Sequence, residues 1–135
     1  MNERLRVLVA DDEPHIGRII KMKLEQGPFD VVLVYDGQEA VDAMEQGDDF
    51  ALVVLDLMMP RLSGLEVLQH IRANDRWKSL PCIVLTAAGE QQYQRRALEI
   101  GASEFLTKPF SPRKLYARAM QLTGAESENA GVREA

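Results

Sequence analysis

The chain has 135 residues, a formal net charge of −5, 46% hydrophobic residues, 27% charged residues and one cysteine. This length suits one domain with a core large enough to fold unaided, the acidic balance argues against a direct nucleic-acid-binding surface, and a lone Cys82 excludes a disulfide or zinc framework within the chain. No apolar run approaches the roughly 20 residues of a membrane span and no signal peptide precedes the first strand pattern, so a cytoplasmic, reducing location is expected.

The first apolar run, Leu5 to Ala10, reads as a strand. It ends in Asp11, Asp12 and Glu13, followed by Pro14 at a helix-start position. Ile16, Ile19, Ile20 and Leu24 then recur on one helical face, and Gly27-Pro28 is expected to end that helix. Val31 to Tyr35 is the second strand, closed by the turn pair Asp36-Gly37. Ala40, Val41 and Met44 mark a second helix, with a stop expected near Gly47. The third strand, Ala51 to Leu55, is the most apolar and runs directly into Asp56, with Pro60 blocking continuation. Gly64 leads into a third helix with Leu65, Leu68 and Ile71 inward. A polar stretch from Asn74 to Ser79 precedes the fourth strand, Cys82 to Leu85, in which Cys82 reads as a buried core thiol. Ala97, Leu98 and Ile100 lie in a fourth helix that stops at Gly101. Phe105 to Thr107 is a short fifth strand. Ser111-Pro112 is an N-cap and first-turn pair, and the last helix, with Leu115, Ala119 and Leu122 inward, ends at Gly124.

Five alternations of strand and helix with short connections imply an α/β domain, a parallel sheet with helices on both faces. Residues 1–123 are expected to form this domain. Residues 124–135 are expected to form a flexible tail or the start of a linker, because Ala125 to Ala135 have no apolar period.

The residues that follow the strands carry the chemistry, since ligands bind at the carboxyl ends of parallel strands. Strand one delivers Asp11 and Asp12, strand three Asp56, strand four Thr86, and strand five Lys108. Asp36, after strand two, is set apart, because an edge position would remove it from the centre. If strands one, three, four and five are neighbours, one sheet edge gathers three carboxylates, a hydroxyl and an ammonium. At about 4 Å and an effective dielectric near 20, each like-charged pair costs on the order of 4 kcal/mol. Either a carboxylate takes up a proton or a cation sits between them. An all-oxygen ligand set suits Mg²⁺; taken alone, Asp11 and Asp12 read equally well as helix caps. A carboxylate relieved of that repulsion can attack a phosphoryl group, with a Thr hydroxyl and a Lys ammonium placed to contact its oxygens.

Asp11-Asp12-Glu13-Pro14, Leu55-Asp56-Leu57-Met58-Met59-Pro60 with Ser63-Gly64, Leu85-Thr86-Ala87 and Lys108-Pro109-Phe110 together resemble the receiver domain of two-component response regulators. The resemblance runs from about Leu5 to Leu122. It implies a flavodoxin-like, doubly wound, five-stranded parallel sheet of order 2-1-3-4-5 with five helices. It also implies that Asp56 accepts a phosphoryl group from a histidine kinase or phosphotransfer protein. By the same resemblance, Asp12 binds Mg²⁺ directly, Asp11 mainly through water, and the backbone carbonyl of Met58 completes the protein ligands. Thr86 and Lys108 contact the phosphoryl group, Phe105 is the switch aromatic, and Lys108-Pro109 is a cis peptide. Met58 and Ala88 fall at positions that influence dephosphorylation. His15 is expected to be an exposed helical residue rather than part of the site.

The implied function is a phosphorylation-dependent binding switch, not an enzyme acting on other molecules. A downstream protein is expected to read the face formed by the fourth helix, fifth strand and fifth helix, and a phosphorylation-dependent dimer is admitted. The chain could stand alone or be the N-terminal receiver of a longer regulator with an output domain. An aspartyl-phosphate phosphatase of the haloacid dehalogenase type is a remote alternative. It requires Asp-x-Asp-x-Thr after the first strand, where this chain has Asp11-Asp12-Glu13, and Leu57 rather than a further acid follows Asp56. A flavin-binding carrier would need a Ser, Thr and Gly-rich loop after strand one, where this loop is acidic.

Overall fold

The five apolar runs become five parallel strands whose apolar side chains pack against helices on both sides of the sheet. A computed structural model describes residues 4–46 and 49–125. The strands are β1 (Leu5–Ala10), β2 (Phe29–Val34), β3 (Leu52–Asp56), β4 (Cys82–Ala87) and β5 (Glu104–Lys108), and the helices are α1 (Pro14–Leu24), α2 (Gly37–Glu45), α3 (Gly64–Ala73), α4 (Gln91–Ile100) and α5 (Pro112–Thr123). The sheet order is β2-β1-β3-β4-β5, the flavodoxin-like order that the resemblance implies.

Side chains alternate across the sheet with a period of two. Leu8, Ala10, Val53, Leu55 and Val84 meet Val41, Met44, Leu68, Ile71 and Ala97 on the α2–α3–α4 face. Val7, Val9, Leu52, Val54, Ile83 and Leu85 meet Ile20, Leu24, Leu115 and Ala119 on the α1–α5 face. All five residues of β3 are buried, which is why this strand reads as an unbroken apolar run rather than an alternation.

Several element ends differ from the sequence expectation, each for a local reason. Helix α1 ends at Leu24, before Gly27-Pro28, because the Glu25 carboxylate turns back to accept the Val31 backbone N–H at 3.0 Å and the Lys21 ammonium at 2.9 Å. Strand β2 starts two residues early, at Phe29, which is buried opposite Leu5. Tyr35 lies outside that strand and is exposed. On α1, Gly17 faces inward against Leu33, and Ile19 is left exposed. Leu98 of α4 is likewise exposed, whereas Ala97 is buried. Trp77 is buried although it sits in the polar Asn74–Ser79 stretch, and its carbonyl accepts a hydrogen bond from Arg72 at 3.1 Å. The expected stop near Gly47, and all of the expected tail beyond Ala125, lie outside the described residues.

The two ends of α4 are held differently. At its C-terminus, the Arg72 guanidinium bonds the Gly101 carbonyl at 3.0 Å. Ser103 and Cys82 exchange two hydrogen bonds, Ser103 N–H to the Cys82 carbonyl at 2.8 Å and Cys82 N–H to the Ser103 hydroxyl at 3.0 Å. At its N-terminus, Glu90 makes no side-chain cap, and Gly89 before it has φ +86° and open space where a Cβ would sit. By contrast, α3 begins with a full capping box between Ser63 and Glu66.

Gly64 fixes the start of α3 against the end of β3. A Cβ at this position would collide with the Asp56 carbonyl oxygen and come within 2.7 Å of the Leu57 Cα. Those atoms are backbone and cannot move aside as the tip of a side chain does. A Gly64→Ala substitution is therefore expected to destabilise the domain by about 2 kcal/mol, read as a lower urea midpoint, whereas Gly17→Ala, whose new methyl meets only the flexible Leu33 side chain, is expected to lose less.

Candidate functional site at the carboxyl edge of the sheet

The strand order brings the ends of β1, β3, β4 and β5 side by side, so the residues after them form one cluster. Asp11 follows β1 and is fully buried. Its Oδ1 accepts the Glu13 backbone N–H at 2.9 Å, closing the loop that precedes α1. The N-cap position of α1 is Glu13, which makes no capping bond with its side chain. Helix capping therefore does not account for the acidic run. Asp12 is exposed at the rim.

Asp56 ends β3 and is 5% exposed. One carboxylate oxygen, Oδ1, accepts the Met58 backbone N–H at 3.2 Å, and the other, Oδ2, accepts from Lys108 Nζ at 3.1 Å. Lys108 also reaches Glu13 Oε1 at 3.0 Å and Asp11 Oδ2 at 3.1 Å. The Asp11 contact is an ion pair without hydrogen-bond geometry, so this buried oxygen has no hydrogen-bond donor. One carboxylate oxygen from each of Asp11, Asp12, Glu13 and Asp56 lies within 4.8 Å of the others.

The electrostatics follow from this crowding. Burial pushes the Asp56 carboxyl up to about 6, from an ordinary value of 3.8. The Lys108 charge opposes that rise and the nearby Asp11 charge adds to it. Burial acts to lower the Lys108 pKa, but the hydrogen bond to Glu13 and the charges on Asp56 and Asp11 outweigh it, and the ammonium is held more firmly protonated than usual. The bond from Lys108 holds the Glu13 carboxyl below its usual range. Lys108 is thus the cation that lets three carboxylates share one edge.

A divalent ion fits these residues. The donor-less Asp11 Oδ2 points into the cluster, all available donors are hard oxygens, and several approach each other closely enough to share one ion.

Thr86, near the end of β4, is 2% exposed. It pairs in register with Thr107, as Val84 pairs with Phe105, so it shares with Val84 the sheet face that α4 covers. Its hydroxyl accepts a hydrogen bond from the Gln94 side chain of α4 at 3.1 Å. Phe105 is partly buried against the same α4-side core. The Lys108-Pro109 peptide is cis.

Asp36, in the turn between edge strand β2 and α2, stands apart from this cluster. It caps α2 by accepting the Glu39 N–H at 2.8 Å. His15 is an exposed residue of α1. Cys82 is fully buried, and desolvation pushes its thiol up to about 11. Sequence reasoning gave no role to Glu13 as a partner of Lys108, or to Gln94 as a partner of Thr86. A long side chain four residues into an apolar-poor helix carries no signal of its own.

The response regulator receiver domain family matches residues 7–120. The chain belongs to this family. The receiver is 37% identical over 133 residues to the transcriptional regulatory protein YkoG of Bacillus subtilis, covering 96% of this chain and 57% of that protein. It is 39% identical over 117 residues to the transcriptional regulatory protein SrrA of Staphylococcus aureus, covering 86% of this chain and 46% of that one. It therefore spans about half the length of these curated relatives. Among solved structures, the receiver domain of Francisella response regulator 1452 superposes with a TM-score of 0.81 at 32% identity, covering 91% of this chain and 99% of that one. The chemotaxis response regulator CheY4 of Vibrio cholerae superposes at 0.80 with 27% identity, covering 88% and 98%. Among the described residues of this receiver, no helix is long and apolar enough to cross a membrane.

The raised Asp56 pKa sets a pH dependence for the metal-free receiver. This carboxyl favours the folded state when protonated, so its contribution is full below about pH 4 and is lost as pH rises through about 6. Asp56→Asn is therefore expected to stabilise the metal-free protein at pH 7.5. After allowance for solvent screening the gain is on the order of 1–2 kcal/mol. Thermal melts in chelator should show the gap over wild type closing as pH falls towards 4.

Proposed function

We propose that this receiver takes a phosphoryl group on Asp56 from a histidine kinase or phosphotransfer protein and changes its protein partners in response. The observation that carries the reading is the placement of Asp56: a buried carboxylate at the end of the central strand, bonded to Lys108 and crowded by Asp11. An Asp56 oxygen attacks the phosphorus of a phosphohistidine, the P–N bond breaks, and the leaving imidazole takes a proton from solvent. Bound Mg²⁺ supplies the positive charge that makes this approach of anions possible. Asp12 would ligate it directly, Asp11 mainly through water, with Asp56 and the Met58 carbonyl as the other protein ligands. Lys108, already bonded to Asp56, is placed to follow the new charge onto a phosphoryl oxygen, and the Thr86 hydroxyl donates to another.

Receiver domains of transcriptional regulators are generally non-enzymatic, and the reading assigns this one no chemistry beyond its own phosphorylation and dephosphorylation. The output is a change in the α4–β5–α5 face, with Thr86 and Phe105 as the switching residues and a downstream protein or a second phosphorylated copy as the reader. Gln91, Gln92, Arg95 and Arg96 supply its exposed polar part. The receiver unit extends at least to Ala125, which is 3% exposed and packs in the α1–α5 core, two residues beyond the expected boundary at 123. The greater length of YkoG and SrrA is compatible with an N-terminal receiver of a longer regulator.

Incubation with acetyl phosphate and Mg²⁺ is expected to add one phosphate by intact mass, and chelator or Asp56→Asn to prevent it; a phosphate gained by Asp56→Asn under the same conditions would refute the assignment. In Mg²⁺ titrations, Asp12→Ala is expected to weaken binding more than Asp11→Ala. Equal or reversed losses would exchange the inner and outer ligands.

A further inference from the structure

We propose that Gln94 is a latch: its amide holds the Thr86 hydroxyl against α4 and so weakens the receiver's affinity for a phosphoryl group on Asp56. The inference rests on the phosphoacceptor reading above and concerns a residue outside the metal and phosphoryl ligands.

Register decides which way Thr86 faces. Asp56 pairs with Leu85, and Leu85 packs on the α1–α5 side of the sheet. Thr86, one residue on, faces the opposite side, towards α4. Its hydroxyl has one hydrogen-bond partner among the described residues, the Gln94 Nε2 at 3.1 Å. Neither Asp56 oxygen is bonded to it, since Oδ1 takes Met58 N–H and Oδ2 takes Lys108. The Gln94 bond uses this hydroxyl as acceptor and leaves its O–H free; in the proposed latch, carrying that O–H to a phosphoryl oxygen on Asp56 swings Oγ1 away from α4 and stretches the Gln94 bond past hydrogen-bonding distance.

A bond present only in the unliganded state subtracts its free energy from ligand binding. A neutral side-chain hydrogen bond biases such an equilibrium by roughly 2- to 10-fold. The same bond places α4 under the control of Thr86. While it is intact, α4 is tied to the unphosphorylated arrangement through Gln94, although its N-terminus has no side-chain cap. Release of Thr86 removes that tie. Gln94 is thus a positioning residue that acts through Thr86 and touches no reacting atom.

The test is a double-mutant cycle with beryllofluoride in saturating Mg²⁺, BeF₃⁻ standing for the phosphoryl group. Gln94→Ala and the length-conserving Gln94→Met are both expected to tighten BeF₃⁻ binding roughly 2- to 10-fold. In a Thr86→Val background, which has no hydroxyl to hold, the same changes should leave affinity unaltered. Amide spectra of ligand-free Gln94→Met should show the Thr86 resonance displaced towards its BeF₃⁻-bound position. Tightening of equal size in both backgrounds would show that Gln94 acts through general helix stability, and no tightening in the Thr86 background would show that no latch exists; either result overturns the proposal. If the parent protein binds BeF₃⁻ and only the Gln94 comparison fails, the latch alone is wrong. If the parent protein does not bind BeF₃⁻ at all, the phosphoacceptor reading falls and the latch with it.

Discussion

Lys108 is the charge on which the site depends. Its ammonium lies 3.0–3.1 Å from Glu13, Asp11 and Asp56, three carboxylates contributed by two other parts of the chain. Without it, two buried carboxylates would face each other across the ends of β1 and β3, where a low local dielectric makes repulsion costly. The compensation is partial, because Asp56 still has a raised pKa and Asp11 keeps one oxygen without a donor. A fully satisfied carboxylate is a poor nucleophile and a poor metal ligand. One that is neutralised just enough to fold keeps free oxygen lone pairs for both tasks.

The sheet makes that arrangement rigid. β3 is buried on both faces and lies between β1 and β4. Asp56 is therefore anchored by the two largest cores in the molecule, and Gly64 lets α3 start against its carbonyl. The residues around Asp56 differ in how firmly they are held. Asp11 is part of a closed loop, whereas Thr86 has a side-chain bond only to a helix that begins uncapped. Rigidity at Asp56 and looseness one strand away suit the proposed switch, since a small bias can then reposition one element and leave the acidic cluster in place.

Much of this was readable in the sequence. The Ala51–Leu55 run identifies the central strand because a strand covered on both sides must be continuously apolar, and the residues after the strands name Asp11, Asp12, Asp56, Thr86 and Lys108. The strand order was not readable from periodicity; it came from the resemblance. What escaped were pairings between distant positions. Glu13 and Lys108 are separated by 95 residues, and nothing local to either announces the other. Trp77 was hidden by its polar neighbours, although a lone Trp in such a stretch is itself a hint of burial. Ile19 fits the apolar period yet is exposed, because Gly17, which contributes nothing to that period, is what faces the sheet.

The unequal anchoring of α4 has a mechanical consequence. Arg72, Gly101, Ser103 and Cys82 form a firm pivot at one end of the helix, while Gly89, with open space and a positive φ, is a free joint at the other. A helix of ten residues is a stiff rod about 15 Å long. Pushed near Gln94, such a rod does not slide; it swings about Gly101, and its travel is greatest at Gln91 and Gln92. A push on α4 at Gln94 is therefore expressed most strongly at the outer surface of the first turn of the helix.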